Sequence, residues 1–315
     1  MCCSLVVAVI IHTSDHGGCL SNSSSISSNF LERGSCEEVF SNFVVAASYP
    51  AARVDLSFPQ PLLLDFDGVI AMEASFNGKR AVVTGASQGI GNVIARELAK
   101  RGATVIAVAR SADKLKELQE QAPNIVPVCV DLADWNATEV ALSSVGPVDL
   151  LVNNAAVAIL EPVGEIKPES FDISFATNVK AVINVSQLCA KSMKERHVAG
   201  AIVNVSSQAG IAALANHAVY CASKAALDQL TRVMALELGP HKIRVNSVNP
   251  TVTNTPMSLV GWSDPVKASN MRSKIPLGRF AEPEEVCDAV LYLLSDHSSM
   301  ITGTVLPVDG GYTAC

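Results

Sequence analysis

From Lys79 onward the chain alternates short apolar runs of strand length with longer amphipathic stretches, and few folds accept that rhythm. The apolar runs are AVVT (81–84), TVIAVA (104–109), IVPVCV (125–130), DLLVN (149–153), AIVNVS (201–206), IRVNSVN (243–249) and TVLPVD (304–309). They carry valine and isoleucine at successive positions, so both faces of each strand must be covered. Between them, Ile90, Val93, Ile94 and Leu98 recur on one helical face, and the long segment from Pro168 to Arg196 reads as helical. The repetition predicts an α/β protein with a doubly wound parallel sheet, a Rossmann-type three-layer sandwich.

In such a sheet, ligands bind beyond the carboxyl ends of the strands. TGASQGIG (84–91) joins the first strand to the first helix there. Gly85, Gly89 and Gly91 permit a tight turn and let a phosphate approach the backbone, and the helix that follows offers unpaired N–H groups and a positive dipole end. The spacing is Gly-x-x-x-Gly-x-Gly, not the commoner Gly-x-Gly-x-x-Gly. At the end of the second strand, where an NAD site places a carboxylate for the ribose, stand Ala109, Arg110 and Ser111. No acid is there to repel a 2'-phosphate and Arg110 can pair with one, which favours NADP(H); a solvated surface arginine is the alternative. Asp131 and Leu132 follow the third strand, placed to meet an adenine. Asn153, Asn154 and Ala155 end the fourth strand at the same edge.

A second constellation lies in SSQAGIAALANHAVYCASK, from Ser206 to Lys224. On a helix, Lys224 falls one turn beyond Tyr220 on the same face, where its ammonium is expected to lower the phenol's pKa. An unperturbed phenol titrates near pH ~10 and needs a cationic neighbour to trade protons efficiently at neutral pH. Ser207, at the end of an apolar run, is placed to hydrogen-bond the same substrate oxygen. Taken alone, Tyr-x-x-x-Lys describes many helices with a buried tyrosine and a solvated lysine; the surrounding pattern gives it meaning.

Composition narrows the partners. A chain of 315 residues, 49% hydrophobic and 17% charged, can build a large core. Its formal net charge of -7 and pI near 5.4, without a basic patch, argue against a nucleic-acid or anionic-membrane partner. Nine cysteines without a Cys-x-x-Cys pair or metal-ligand spacing predict reduced thiols, a cytoplasmic location and no metal. No apolar run reaches the ~20 residues of a membrane span.

Residues 1–71 read differently and are expected to be a disordered extension of a single domain over 72–315. LVVAVII (5–11) lacks a basic n-region, and SNSSSISSN (21–29) has little to pack with. An organelle-targeting tail is the alternative, against which Glu32, Glu37 and Glu38 count. LLLDFDGVI (62–70) resembles the nucleophile strand of haloacid dehalogenase phosphatases, but the glycine turn begins before such a domain could be completed. Met72 fits an alternative start.

The glycine turn, Asn153-Asn154-Ala155, Asn178, Ser207, Tyr220, Lys224, and Asn249-Pro250 leading to Thr255 stand in the order found in the short-chain dehydrogenase/reductase family, which residues 77–315 resemble. The resemblance implies that Ser87, Gln88 and Ile90 join the glycines and Asn154 around the cofactor. It further implies that Asn178 holds a water in a proton relay, Ser207 orients the substrate carbonyl and Tyr220 supplies the proton. Lys224 would bind the nicotinamide ribose as well as depress the tyrosine pKa, and Val252 and Thr255 would hold the carboxamide. Ala156 and Thr251 replace glycines of the broader family. Gln88 stands where NADP-preferring members often carry arginine or lysine, so the NADP preference would rest on Arg110 and the missing acid. Family members are mostly tetramers built through long helices, and apolar LDQLTRVMALEL (227–238) fits such a homotetramer interface.

The expected activity is reduction of a small-molecule carbonyl by NADPH. Gln208, His217 and Trp262 resemble the family's substrate-side positions, which implies that Gln208 and His217 hydrogen-bond substrate hydroxyls and that Trp262 packs on the C–H face of a small sugar; a structural histidine at a helix start is the alternative for His217. The polar segment Met257 to Lys274 reads as a lid. Polar Gln208, Asn216 and His217 favour small ketoses and α-dicarbonyls. The alternatives are a reductase of fatty-acyl or steroid ketones and, from another class, a non-catalytic NADP(H)-sensing protein.

Overall fold

The computed structural model describes residues 74–315, all within the unit Val69–Cys315. The expected extension over 1–71, with LVVAVII and LLLDFDGVI, and Met72 lie outside the described residues.

Seven strands form one parallel sheet: β1 (Arg80–Thr84), β2 (Thr104–Ala109), β3 (Ile125–Cys129), β4 (Leu150–Asn153), β5 (Gly200–Val205), β6 (Ile243–Pro250) and β7 (Val305–Val308). Each coincides with an apolar run of the sequence. Their order is β3-β2-β1-β4-β5-β6-β7, so the direction of winding reverses between β1 and β4. Helices α1 (Gly89–Lys100), α2 (Ala112–Gln121) and α3 (Trp135–Ser143) follow the first three strands.

The continuous apolar character of the strands has a direct cause in the packing. Val83, Val105 and Ala107 enter one core with Ile94 and Leu98 of α1 and Leu115 and Leu118 of α2. Their neighbours Val82, Ile106 and Val108 enter the opposite core with Val185, Met193 and Ile202. Alternate residues of each strand thus feed two cores, and every position must be apolar. Each such side chain contributes roughly 1.5–3 kcal/mol by leaving water.

The segment from Pro168 is helical but not uniform. It comprises α4 (Pro168–Phe175), a π turn (Ala176–Lys180) and α5 (Ala181–Glu195). One residue too many in a turn leaves no mark on hydrophobic periodicity, and π turns occur mainly at functional positions. Asn178 lies in this one, fully buried.

The longest helix, α6 (Ala218–Leu238), follows β5, and α7 (Pro256–Gly261), α8 (Pro265–Arg272) and α9 (Pro283–Leu294) complete the chain around β7. Asn216 takes a left-handed φ of 64° just before α6, a conformation its short amide tolerates. Among the described residues no helix is long and apolar enough to cross a membrane.

Candidate active site

The carboxyl ends of β1, β2, β4, β5 and β6 open into one cavity of about 800 Å³ at the point where the winding reverses. At its floor, Gly85 has φ of +67°, and a Cβ there would lie 2.8 Å from Asn154 Nδ2 and 2.9 Å from Ala155 Cα. Gly91, in the first turn of α1, does not line the cavity; a Cβ on it would press on the same Asn154 amide and come 2.5 Å from the Gly85 carbonyl oxygen. Asn154 closes this junction, its backbone N–H donating to Thr84 Oγ1 at 2.9 Å and its Nδ2 to the Thr84 carbonyl at 3.0 Å. Bare backbone at the start of a helix is thereby exposed to the cavity, the surface a pyrophosphate requires. Ser87, Gln88, Gly89 and Ile90 line that surface.

At the far end lie Arg110 and Asp131, both exposed, and buried Leu132. Asp131 is oriented by the Ala133 N–H, which donates to Oδ1 at 3.0 Å. Lys114 of α2 also lines this end and donates from Nζ to Gln88 Oε1 at 2.9 Å. Sequence reasoning missed Lys114, whose approach depends on how α1 and α2 sit beside each other.

Tyr220 and Lys224 share a face of α6 as their spacing predicts, but the electrostatics differ from expectation. Lys224 is only 2% exposed, and its Nζ donates to the Val205 carbonyl at 2.8 Å. The ammonium stands 5.8 Å from the centre of the tyrosine ring. Burial lowers the lysine pKa to about 8, with Asp228 acting in the opposite sense. The expected depression of the Tyr220 pKa is not what the protein displays: burial raises it, and the lowering influence is a hydrogen bond with Ser207. Desolvation penalises a phenolate more than the pattern Tyr-x-x-x-Lys alone conveys.

Behind these residues is a buried polar scaffold. Asn249 donates to the Ser207 carbonyl at 2.8 Å and to Asp228 Oδ2 at 2.9 Å, while Ser247 donates to Asp228 Oδ1 at 3.3 Å. Burial raises the Asp228 pKa, and hydrogen bonds from Ser206, Asn249 and Ser247 pull it back. Asp228 lies one turn beyond Lys224, so Lys-x-x-x-Asp was the available signal for it. Asn178 stands outside the cavity wall: its Nδ2 donates to the Val157 carbonyl at 2.9 Å and to Ser223 Oγ at 3.0 Å, and its Oδ1 accepts from the Val157 N–H at 2.9 Å.

On the other side of Tyr220 the lining is suited to a polar ligand. Gln208 is 1% exposed, yet neither its Oε1 nor its Nε2 has a hydrogen-bond partner among the described residues; the same holds for buried Thr251 Oγ1. Orphaned polar atoms in a cavity wall need a partner from outside the chain. His217 precedes α6 with its ring 6.2 Å from that of Tyr220. Its Nδ1 lies 2.6 Å from the Ala215 carbonyl, which can only accept, so Nδ1 carries a proton and Nε2 is the atom left for a ligand. The segment Met257 to Lys274 folds into most of α7 and all of α8, with Trp262 between them, tilted against Phe280 at 6.0 Å. Thr255 caps α7 by accepting from the Ser258 N–H at 3.3 Å, and its methyl group faces the Cα of Gly89. Val252 lines the cavity beside it. Among the described residues no cluster of histidine, cysteine or carboxylate side chains is arranged to hold a metal ion.

Comparison with known proteins agrees with this geometry. The family model described as Enoyl-(Acyl carrier protein) reductase matches residues 85–313. L-xylulose reductase of Mus musculus is 60% identical over 243 residues, 77% of this chain and 100% of that protein. The chain belongs to the short-chain dehydrogenase/reductase family. Another relative in this family, D-erythrulose reductase of Gallus gallus, is 54% identical over 240 residues, 76% of this chain and 98% of that one. Among solved short-chain dehydrogenase/reductase structures, a gluconate 5-dehydrogenase from Burkholderia cenocepacia J2315 in complex with NADP and tartrate superposes with a TM-score of 0.73 at 28% identity, covering 76% of this chain and 97% of its own.

Proposed function

We propose that the protein is an NADPH-dependent carbonyl reductase of small ketoses and α-dicarbonyls, of the type that converts L-xylulose to xylitol. The observation that carries this reading is the meeting of Ser207, Tyr220 and Lys224 with the glycine turn in one cavity that is also lined by the Gln208 amide, which has no hydrogen-bond partner among the described residues. The kinship with L-xylulose and D-erythrulose reductases and the NADP of the gluconate dehydrogenase structure support it.

The bare turn of Gly85 to Gly91, with Ser87, Gln88 and Ile90, would take the pyrophosphate. Arg110 would take the 2'-phosphate, and Asp131, Leu132 and Asn154 would flank the adenosine half. Val252 and Thr255 would hold the nicotinamide end. NADPH, when bound, supplies the hydride. A phenol is protonated at neutral pH and burial raises the Tyr220 pKa further, so Tyr220 stands in the form needed to donate to a carbonyl oxygen that gains charge. Ser207 hydrogen-bonds the phenol and is placed to receive the same oxygen. Lys224 holds a positive charge within reach of the phenolate left behind. The side chain of Asn178 is engaged in fixing Val157 and Ser223, so its part in refilling the proton falls to its backbone in the π turn. Gln208, His217 Nε2 and Trp262 would grip a hydroxylated substrate.

A single domain over 72–315, a cytoplasmic location and a homotetramer belong to the same reading. The last is supported by Val233 and Leu236 on α6, which are 40% and 78% exposed. The test is a paired assay of NADPH against NADH with L-xylulose, diacetyl and a hydrophobic ketone. Preference for NADPH with the two small carbonyls is expected. Preference for the hydrophobic ketone would move the assignment to a lipid carbonyl reductase, and binding without turnover to a nucleotide sensor.

A further inference from the structure

We infer that Lys114, not Arg110 alone, sets the preference of this enzyme for NADPH over NADH; the inference rests on the NADP(H) reading above. A ribose 2'-phosphate carries close to two negative charges at neutral pH, and one exposed guanidinium leaves much of that uncompensated. Lys114 supplies the second cation. It stands in the first turn of α2, four residues after Arg110, and both side chains line the same end of the cavity.

Its position is fixed from the other side. Nζ donates to Gln88 Oε1 at 2.9 Å, which ties α2 to the glycine turn and holds the ammonium over it. A neutral side chain at 88 thereby acquires a charge from its neighbour. The same bond settles which way the amide points: with Oε1 on the lysine, the NH2 group of Gln88 is free of competition to donate to a phosphate oxygen. Arg110, Lys114 and the Gln88 amide together form a three-donor cradle in which each group alone is a weak, solvated surface feature.

The test compares Lys114→Ala and Lys114→Glu with wild type, measuring kcat/KM for NADPH and for NADH against diacetyl. The NADPH-to-NADH ratio is expected to fall roughly tenfold in Lys114→Ala, the scale of one lost charge-assisted hydrogen bond, and further in Lys114→Glu. Gln88→Lys added to Lys114→Ala should restore it by returning a cation to the turn. Lys114 is exposed, so neither variant threatens the fold. A wild type that prefers NADPH, with variants whose ratio stays within twofold of it, would overturn this inference and leave the cofactor reading standing. A wild type indifferent to the two cofactors would overturn both.

Discussion

The amide nitrogen of Asn249 lies 2.9 Å from Asp228 Oδ2 and 2.8 Å from the Ser207 carbonyl, tying a buried carboxyl group to the backbone of the serine proposed to meet the substrate carbonyl. Asp228→Ala removes the acceptor for Asn249 and Ser247 together and leaves buried donors unsatisfied. A loss of about 1–3 kcal/mol in denaturant unfolding is expected, together with a lower kcat as Ser207 drifts. Asp228→Asn keeps an acceptor and should cost less. Equal stability of the two variants would detach Asp228 from this role.

Gly91 sits where a Cβ would press on Asn154 and on the Gly85 carbonyl oxygen. Gly91→Ala should therefore force α1 away from β4, costing about 1–3 kcal/mol by overpacking, and raise the KM for NADPH by deforming the turn. Thermal melts and cofactor titration measure both, and unchanged values would mean the junction is looser than described.

Lys224 loses its proton more readily in the folded chain, at about pH 8 against an ordinary value of 10.5. Between those limits the unfolded chain binds more protons, so the penalty of burying the charge is relieved as pH rises through that window. Below pH 8 both states are protonated and the penalty is constant. Cys189 and Cys287, pushed up to about 12 by burial, act in the opposite direction above their ordinary value of 9.0. They are common to wild type and Lys224→Met, so the difference in unfolding free energy between the two isolates the lysine. It should shift in favour of wild type by roughly 3 kcal/mol from pH 8 to 10.5, and a flat difference would contradict the burial argument.

Those two cysteines should also be chemically silent. A thiol that resists ionisation is a poor nucleophile, whereas Cys129 and Cys315 are exposed. Brief iodoacetamide treatment at pH 8 followed by peptide mapping should label Cys129 and Cys315 and spare Cys189 and Cys287. Comparable labelling of Cys189 would mean that α5 opens easily.

The sheet was legible because strands buried on both faces leave uninterrupted apolar runs, and TVIAVA coincides with β2 to the residue. The glycine turn was legible because bare backbone next to a helix start has few other uses. What the sequence concealed was long-range or electrostatic. The π turn around Asn178 hides within ordinary helical periodicity, and Lys114 meets Gln88 across 26 residues of chain. The Tyr220 pKa moved opposite to expectation because desolvation, which outweighs the lowering hydrogen bond with Ser207, cannot be read from a four-residue spacing. Met257 to Lys274 showed its polarity in sequence but not its division into two capped helices.

If the Tyr220 hydroxyl donates the proton, Tyr220→Phe, which removes that oxygen and little else, is the decisive variant. Turnover of diacetyl with NADPH should fall by roughly 10²–10⁴-fold while NADPH binding, followed by fluorescence titration, stays within about twofold of wild type. A variant that binds NADPH normally and retains more than a tenth of wild-type turnover would mean that another group donates the proton.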